Sequence, residues 1–314
     1  MSDIAGWIHF FTTFLNSTLV LSVPIAFAAL GGVFSERSGV FNIGLEGLII
    51  MGAFGAALGV MLTGEPFAGL LLAMLFGALL ALPLAVMAVS LGVNQLVAGI
   101  AINIFALGLT SFLARLTFGR EGTSRMLSGF ENIPIPGLSS LPLIGPVLFD
   151  QDILVYLLFV LVPILYYVMF HTSIGLNIRA AGYNPRATDT AGVSVHGLRY
   201  LCVIGSGVLA SIGGAYIVLS LVSTFSEDMS AGKGFIALAA IILGRWSPLG
   251  AFLACLLFGF FNALQLRLQF DYPDVPYQIF STLPYVVAIV VLIFVAGRNV
   301  APTAIGRYYD REGH

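Results

Sequence analysis

Charge is what this sequence has least of. Only 9% of its 314 residues are Asp, Glu, Lys or Arg, against roughly 25% in a soluble globular domain. So few charges cannot cover the surface of a soluble protein of this length, and the mean hydropathy of +1.01 agrees. A nucleic-acid-binding protein, a disordered chain and a coiled coil are excluded on that ground. Cysteine is nearly absent as well. Cys202 and Cys255 both sit inside apolar runs, which excludes a secreted disulfide scaffold and marks both as small buried hydrophobes. The segment from Met1 to His9 holds Asp3 and no Lys or Arg. It therefore lacks the basic start of a cleavable signal peptide, and the first apolar run is expected to remain as a membrane span.

Long apolar runs are there instead, in a chain that is 59% hydrophobic. A span needs about 20 such residues. Runs occur at 10–33, 40–62, 67–91, 94–117, 152–171, 198–221, 247–268 and 277–296. They are too long for the short alternating strands of a β-barrel. The expected fold is all-α: a polytopic membrane protein with about 8–9 transmembrane helices, forming one transmembrane domain over residues 1–314. A shorter run, 233–243, would cover only about 17 Å as a helix. It reads as a half-helix or a re-entrant segment. Irregular backbone at that depth is tolerated only beside protein or a water-filled cavity, which places it next to a pathway.

Basic residues set the orientation. With the N-terminus outside, Arg37, Arg179, Arg186, Arg199, Arg245, Arg298, Arg307 and Arg311 fall on the cytoplasmic side. Arg115, Arg120, Arg125, Lys233 and Arg267 fall outside, together with most of the acids. The expectation is N-terminus out and C-terminus in. The outer loop 118–151, with Pro134, Pro136, Pro142 and Pro146, reads as structured and turn-rich. The inner loop 172–197 carries paired cap signals: Ser173 before a short helix ended by Gly182, then Asn184-Pro185 opening a second, closed by Gly192. With Arg179, Arg186 and Ala187, it has the features of a docking surface. A plain solvated loop is the alternative.

No catalytic constellation is present. There is no H-E-x-x-H, no G-x-S-x-G and no Cys/His metal spacing, so no metal site, no cofactor in this chain and no enzymatic activity are expected. Gly232-Lys233-Gly234 lacks the earlier Gly and the following Ser or Thr of a phosphate loop. Gly55 and Gly59 form a G-x-x-x-G that helix packing explains. Polar residues within the spans say more, because each is costly there. Glu46 is the one acid well inside a span, with Asn42 on the same helix face. Gln95 and Asn103 lie on the fourth run, and Asn103 falls near the depth of Glu46, roughly 13 Å against 9 Å from the inner end. Asn262 and Gln265 lie farther out. With Phe41, the residues Asn42, Glu46, Gln95 and Asn103 are the candidate substrate pathway. The alternative for the amides is interhelical hydrogen bonding that holds the bundle.

These residues carry a resemblance. Ser35-Glu36-Arg37-Ser38-Gly39-Val40-Phe41-Asn42-Ile43-Gly44-Leu45-Glu46-Gly47 resembles the first signature of bacterial ABC-importer permeases of the branched-chain amino acid and simple-sugar superfamily. Gly175 to Gly182, followed by Asn184-Pro185-Arg186-Ala187 and Ala191-Gly192-Val193, resembles that superfamily's cytoplasmic coupling loop. Gly232 to Ala240 and Gly244 to Ala251 resemble its third conserved block. Within it, Asn42 to Gly47 together with Asn94 to Asn103 look most like the nucleoside permeases. The resemblance implies a permease subunit in the bacterial cytoplasmic membrane. A second related permease would stand beside it, with a cytoplasmic ATP-binding subunit below and an extracytoplasmic substrate-binding lipoprotein above. ATPase coupling would then fall to Arg179, Asn184, Pro185, Arg186, Ala187 and Gly192, and the helices would alternate between outward-open and inward-open states. Two alternatives stay open: branched-chain amino acids or a simple sugar as cargo, and a proton-coupled secondary transporter with Glu46 as its proton site. An intramembrane enzyme would need a nucleophile–base pair that is not there.

Overall fold

Backbone polar groups in a run of apolar residues are best satisfied inside a helix when water is absent. The computed structural model, which describes residues 2–119, 126–141, 143–295 and 301–310, is accordingly almost all helix. In chain order the helices are α1 (Ser2–Arg37), α2 (Leu45–Thr63), α3 (Pro66–Ala85), α4 (Gln95–Phe118), α5 (Gly145–Leu148), α6 (Ile153–His171) and α7 (Ser173–Tyr183). There follow α8 (Pro185–Thr190), α9 (Val195–Tyr216), α10 (Lys233–Leu243), α11 (Pro248–Asp271), α12 (Tyr277–Ser281) and α13 (Leu283–Val295). Among the described residues, seven helices are long and apolar enough to cross a membrane, and α10 and the stretch Gln278–Val290 are shorter apolar helices. The chain is a multi-pass membrane protein.

Innermost lie α1, α2 and α9. Phe27, Leu30, Leu48, Ile49 and Tyr216 are fully enclosed between them. Small residues let the backbones approach. Gly55 and Gly59 of α2 lie directly on Ala73 and Gly69 of α3, so the G-x-x-x-G is a packing seam. Cys202 and Cys255 are buried and unpaired. On α3, Leu71, Leu75 and Leu79 form an exposed stripe, the i, i+4, i+8 face of an element turned away from the core.

The helix ends follow local chemistry. Pro66, Pro185 and Pro248 occupy first-turn positions, where a missing N–H costs nothing. Pro83 lies inside α3, and a π-helical turn, Val86–Ser90, follows it; proline removes one intrahelical bond and loosens the ladder. A second π turn, Ile217–Val222, extends α9. Residues 126–141 pack there: Phe130 N–H donates to Leu219 O and Leu127 N–H to Ser223 O, both at 2.8 Å. Strands β1 (Ile133–Pro134) and β2 (Asp150–Gln151) pair antiparallel. The Gln151 side-chain amide donates to Asn16 on α1 at 2.6 Å, which ties the loop to the bundle.

Three boundaries differ from expectation. The run 40–62 is not one helix: residues 38–44 are irregular, and α2 starts at Leu45. The first cap in the loop 172–197 is Thr172, which accepts from Gly175 N–H, rather than Ser173; α7 runs past Gly182 to Tyr183. The run 277–296 is divided at Thr282 between α12 and α13, and residue 296 lies outside the described residues.

Candidate functional site

The irregular segment 38–44 is buried almost throughout, so each of its backbone groups needs a partner. Neighbouring side chains supply them. Asn42 is fully buried; its carbonyl oxygen accepts from Gly44 N–H at 3.0 Å and its amide donates to Ser206 on α9. Gln95 accepts from Phe41 N–H at 2.7 Å. Asn103 closes the other end, accepting from Gly47 N–H at 2.8 Å and donating to Ile43 O at 2.9 Å. Thus Asn42, Gln95 and Asn103 all converge on the break that carries Phe41. They hold it open as a turn, with their polar atoms largely committed to backbone.

Glu46 faces another way. Its two carboxylate oxygens accept from the N–H groups of Gly232, at 2.7 Å, and Gly234, at 2.6 Å. These are orphan donors at the N-terminus of α10, and a carboxylate there is favoured by both hydrogen bonding and the helix dipole. The contact is close enough that a Cβ on Gly234 would lie 2.5 Å from Glu46 Cα. No other residue type fits without moving one helix. Asn103 bonds to Gly47, the neighbour of Glu46 in α2, but the two side chains point to different partners.

With 11 residues, α10 covers about 17 Å, roughly half of a bilayer's hydrocarbon thickness. Glu46 holds its N-terminus, and the residues that follow its C-terminus meet the end of α1. There Arg245 and Trp246 adopt positive φ, 57° and 52°. Arg37 at the end of α1 donates to both carbonyls, at 3.1 and 2.6 Å. The Trp246 indole N–H donates to Glu36.

The same end carries the short helices. Asn184 caps α8 by accepting from Ala187 N–H at 3.1 Å, and Gly192 follows with φ of 86°. Arg179 on α7 lies over the Phe170 ring at 5.3 Å. Arg186 and Ala187 sit on α8. Residues 302–310 run across this face as a strap. Ala304 N–H donates to Gly182 O at 2.9 Å, and Gly306 N–H to Gly39 O at 3.0 Å. Buried Arg199 on α9 donates to Ser38 O and Arg307 O, both at 3.1 Å. The strap, the break and α7 therefore form one hydrogen-bonded unit.

A cavity of about 410 Å³ lies beside the N-terminus of α10, lined by Lys233, Asn262, Gln265, Ser281 and Tyr285 among others. The in-span amides Asn262 and Gln265 were legible as polar positions. Nothing in the local sequence pointed to Lys233 or Tyr285 as their neighbours, since α10, α11 and α13 meet only in the fold.

The profile of a family described as "branched-chain amino acid transport system / permease component" matches residues 14–296. The guanosine ABC transporter permease protein NupQ of Bacillus subtilis is 40% identical, covering 93% of this chain and 95% of its own. The nucleoside ABC transporter permease protein NupC of Lactococcus lactis is 38% identical over 93% and 94%. A putative glucose ABC transporter permease protein, TsgC13 of Haloferax volcanii, is 33% identical over 95% and 97%.

Proposed function

Because the chain belongs to the family of branched-chain amino acid transport system permease components, we propose that it is the membrane subunit of an ATP-driven nucleoside importer. The observation that carries the cargo class is the likeness to two permeases named for guanosine and nucleosides, across 93% of the chain. A sugar is the second reading, favoured by the 33% likeness to a putative glucose permease. The proposed partners are a second related permease, a cytoplasmic ATP-binding subunit and an extracytoplasmic binding lipoprotein, in a bacterial cytoplasmic membrane with the N-terminus outside.

In this reading the pole bearing α7 and α8 meets the ATP-binding subunit through Arg179, Asn184, Pro185, Arg186, Ala187 and Gly192. Movement of α7 passes through Gly182 to the strap, and through Gly306 and Arg199 to residues 38–39. From there it reaches the break held by Asn42, Gln95 and Asn103, and Glu46 hands it to α10. Two arrangements of these packed elements would give outward-open and inward-open states. Phe41, Asn42, Glu46, Gln95 and Asn103 then act on the pathway by placing its walls.

The test is uptake of radiolabelled guanosine into proteoliposomes holding the whole complex with ATP inside. Nucleosides should be taken up, and unlabelled leucine and ribose should compete poorly. Transport of leucine or ribose with nucleosides ignored would overturn the cargo and leave the family intact.

A further inference from the structure

The cavity beside α10 is unusual for what faces it. Asn262 and Gln265 lie on α11, well within its 24 residues, and three positions apart, so they share a helix face. Both are half-buried. Among the described residues, neither side-chain amide has a hydrogen-bond partner. An unpaired carboxamide in a membrane span is expensive and is not explained by packing. Across from them Lys233, the single lysine of the sequence, donates once, to Ser230 O at 3.3 Å, which leaves two N–H groups. The Ser281 hydroxyl donates to Gln278 O at 2.9 Å and keeps its acceptor side. Tyr285 adds a half-exposed ring.

The volume of about 410 Å³ falls within the roughly 300–1,000 Å³ typical of small-molecule sites. The lining combines neutral donors and acceptors, one aromatic face and a single ammonium. No carboxylate lines it, so it lacks the opposed charges that a zwitterion wants. A carboxamide presents a donor and an acceptor side by side, the arrangement that pairs with the edge of a nucleobase. An aromatic ring supplies a stacking face for the base.

We propose that this cavity is the permease's own nucleoside-binding site, in which Asn262 and Gln265 hydrogen-bond the edge of the base and Tyr285 stacks on its face. Lys233 reaches the same ligand from the N-terminus of α10, the helix end that Glu46 holds in place. Ligand and gating element thus share one helix terminus. The inference rests on the nucleoside reading above.

The experiment measures uptake of guanosine, adenosine and cytidine by the whole complex, for wild type and for Asn262→Leu, Gln265→Leu, Tyr285→Ala and Tyr285→Phe, at matched surface expression. Amides that read base edges discriminate between bases. Asn262→Leu and Gln265→Leu should therefore shift the guanosine-to-cytidine uptake ratio about fivefold or more, besides lowering total uptake. Tyr285→Ala should lose about tenfold for every base, and Tyr285→Phe less than twofold. Unchanged uptake in the two leucine variants would overturn the site. So would an equal loss for all three nucleosides, which would mark the cavity as structural or lipid-filled. If wild type takes up no nucleoside at all, the cargo reading itself has failed, which is a distinct result.

Discussion

Glu46 and Gly234 lie on different helices, yet the carboxylate of one accepts the backbone N–H of the other at 2.6 Å. This bond, with its twin to Gly232 at 2.7 Å, makes the start of α2 the cap of α10. The only acid well inside a span is thus spent on a helix terminus. Hydrogen bonding alone therefore explains a half-buried carboxylate at this depth.

Glu46→Gln keeps the shape and removes one acceptor and the charge. A stranded buried N–H costs about 1–3 kcal/mol, and loss of charge at a helix N-terminus adds about 0.3–1 kcal/mol. Nucleoside uptake by the assembled complex should fall about tenfold at unchanged surface expression. A protonophore should leave wild-type uptake intact while internal ATP is held constant. Collapse of uptake under those conditions would restore Glu46 as a proton site.

Asn103→Leu leaves Gly47 N–H and Ile43 O without their partners. The expected cost is about 2–4 kcal/mol, from two stranded groups at roughly 1–3 each with partial relief by relaxation. The thermal midpoint of the purified complex should drop, and uptake should fall with it. A variant as stable as wild type would show that the break at 38–44 does not depend on Asn103.

The long spans were legible because apolar length is a local property. Even the bounds of the short helix, Lys233–Leu243, coincide with the run read from sequence. The break was not legible. Val40, Phe41, Ile43 and Leu45 are as apolar as any helix, and what interrupts them is hydrogen bonding from Gln95, Asn103 and Ser206, far away in the chain. For the same reason Asn42, Gln95 and Asn103 were recognisable as meaningful polar residues, while their backbone partners were not. Thr172 and Ser173 both carry hydroxyls, and only the geometry decides that Thr172 is the cap.

Arg186→Glu and Ala187→Trp both alter α8 without touching the bundle's interior. Membrane insertion should be normal. Substrate-stimulated ATP hydrolysis by the complex should fall about tenfold in each. Full stimulation in both variants would remove α8 from the coupling path.

Orientation is checked by reporter fusions after Ser128 and after Thr188. A reporter active only outside should light up at the first, and one active only in the cytoplasm at the second. The reverse pattern would place α7 and α8 on the wrong side to meet an ATP-binding subunit.

The strap at 302–310 sets an order of events during synthesis. Its partners, Gly39, Gly182 and Arg199, are all made long before it, Gly39 earliest of all. Until Ala304 and Gly306 emerge, Gly182 O and Gly39 O have no strap donor. The face that bears α7 and α8 is therefore finished last, after every long helix has been made. A chain stalled before residue 302 would hold its spans but leave the face of α7 and α8 unsealed, so the emergence of the strap is the step that readies this surface for assembly.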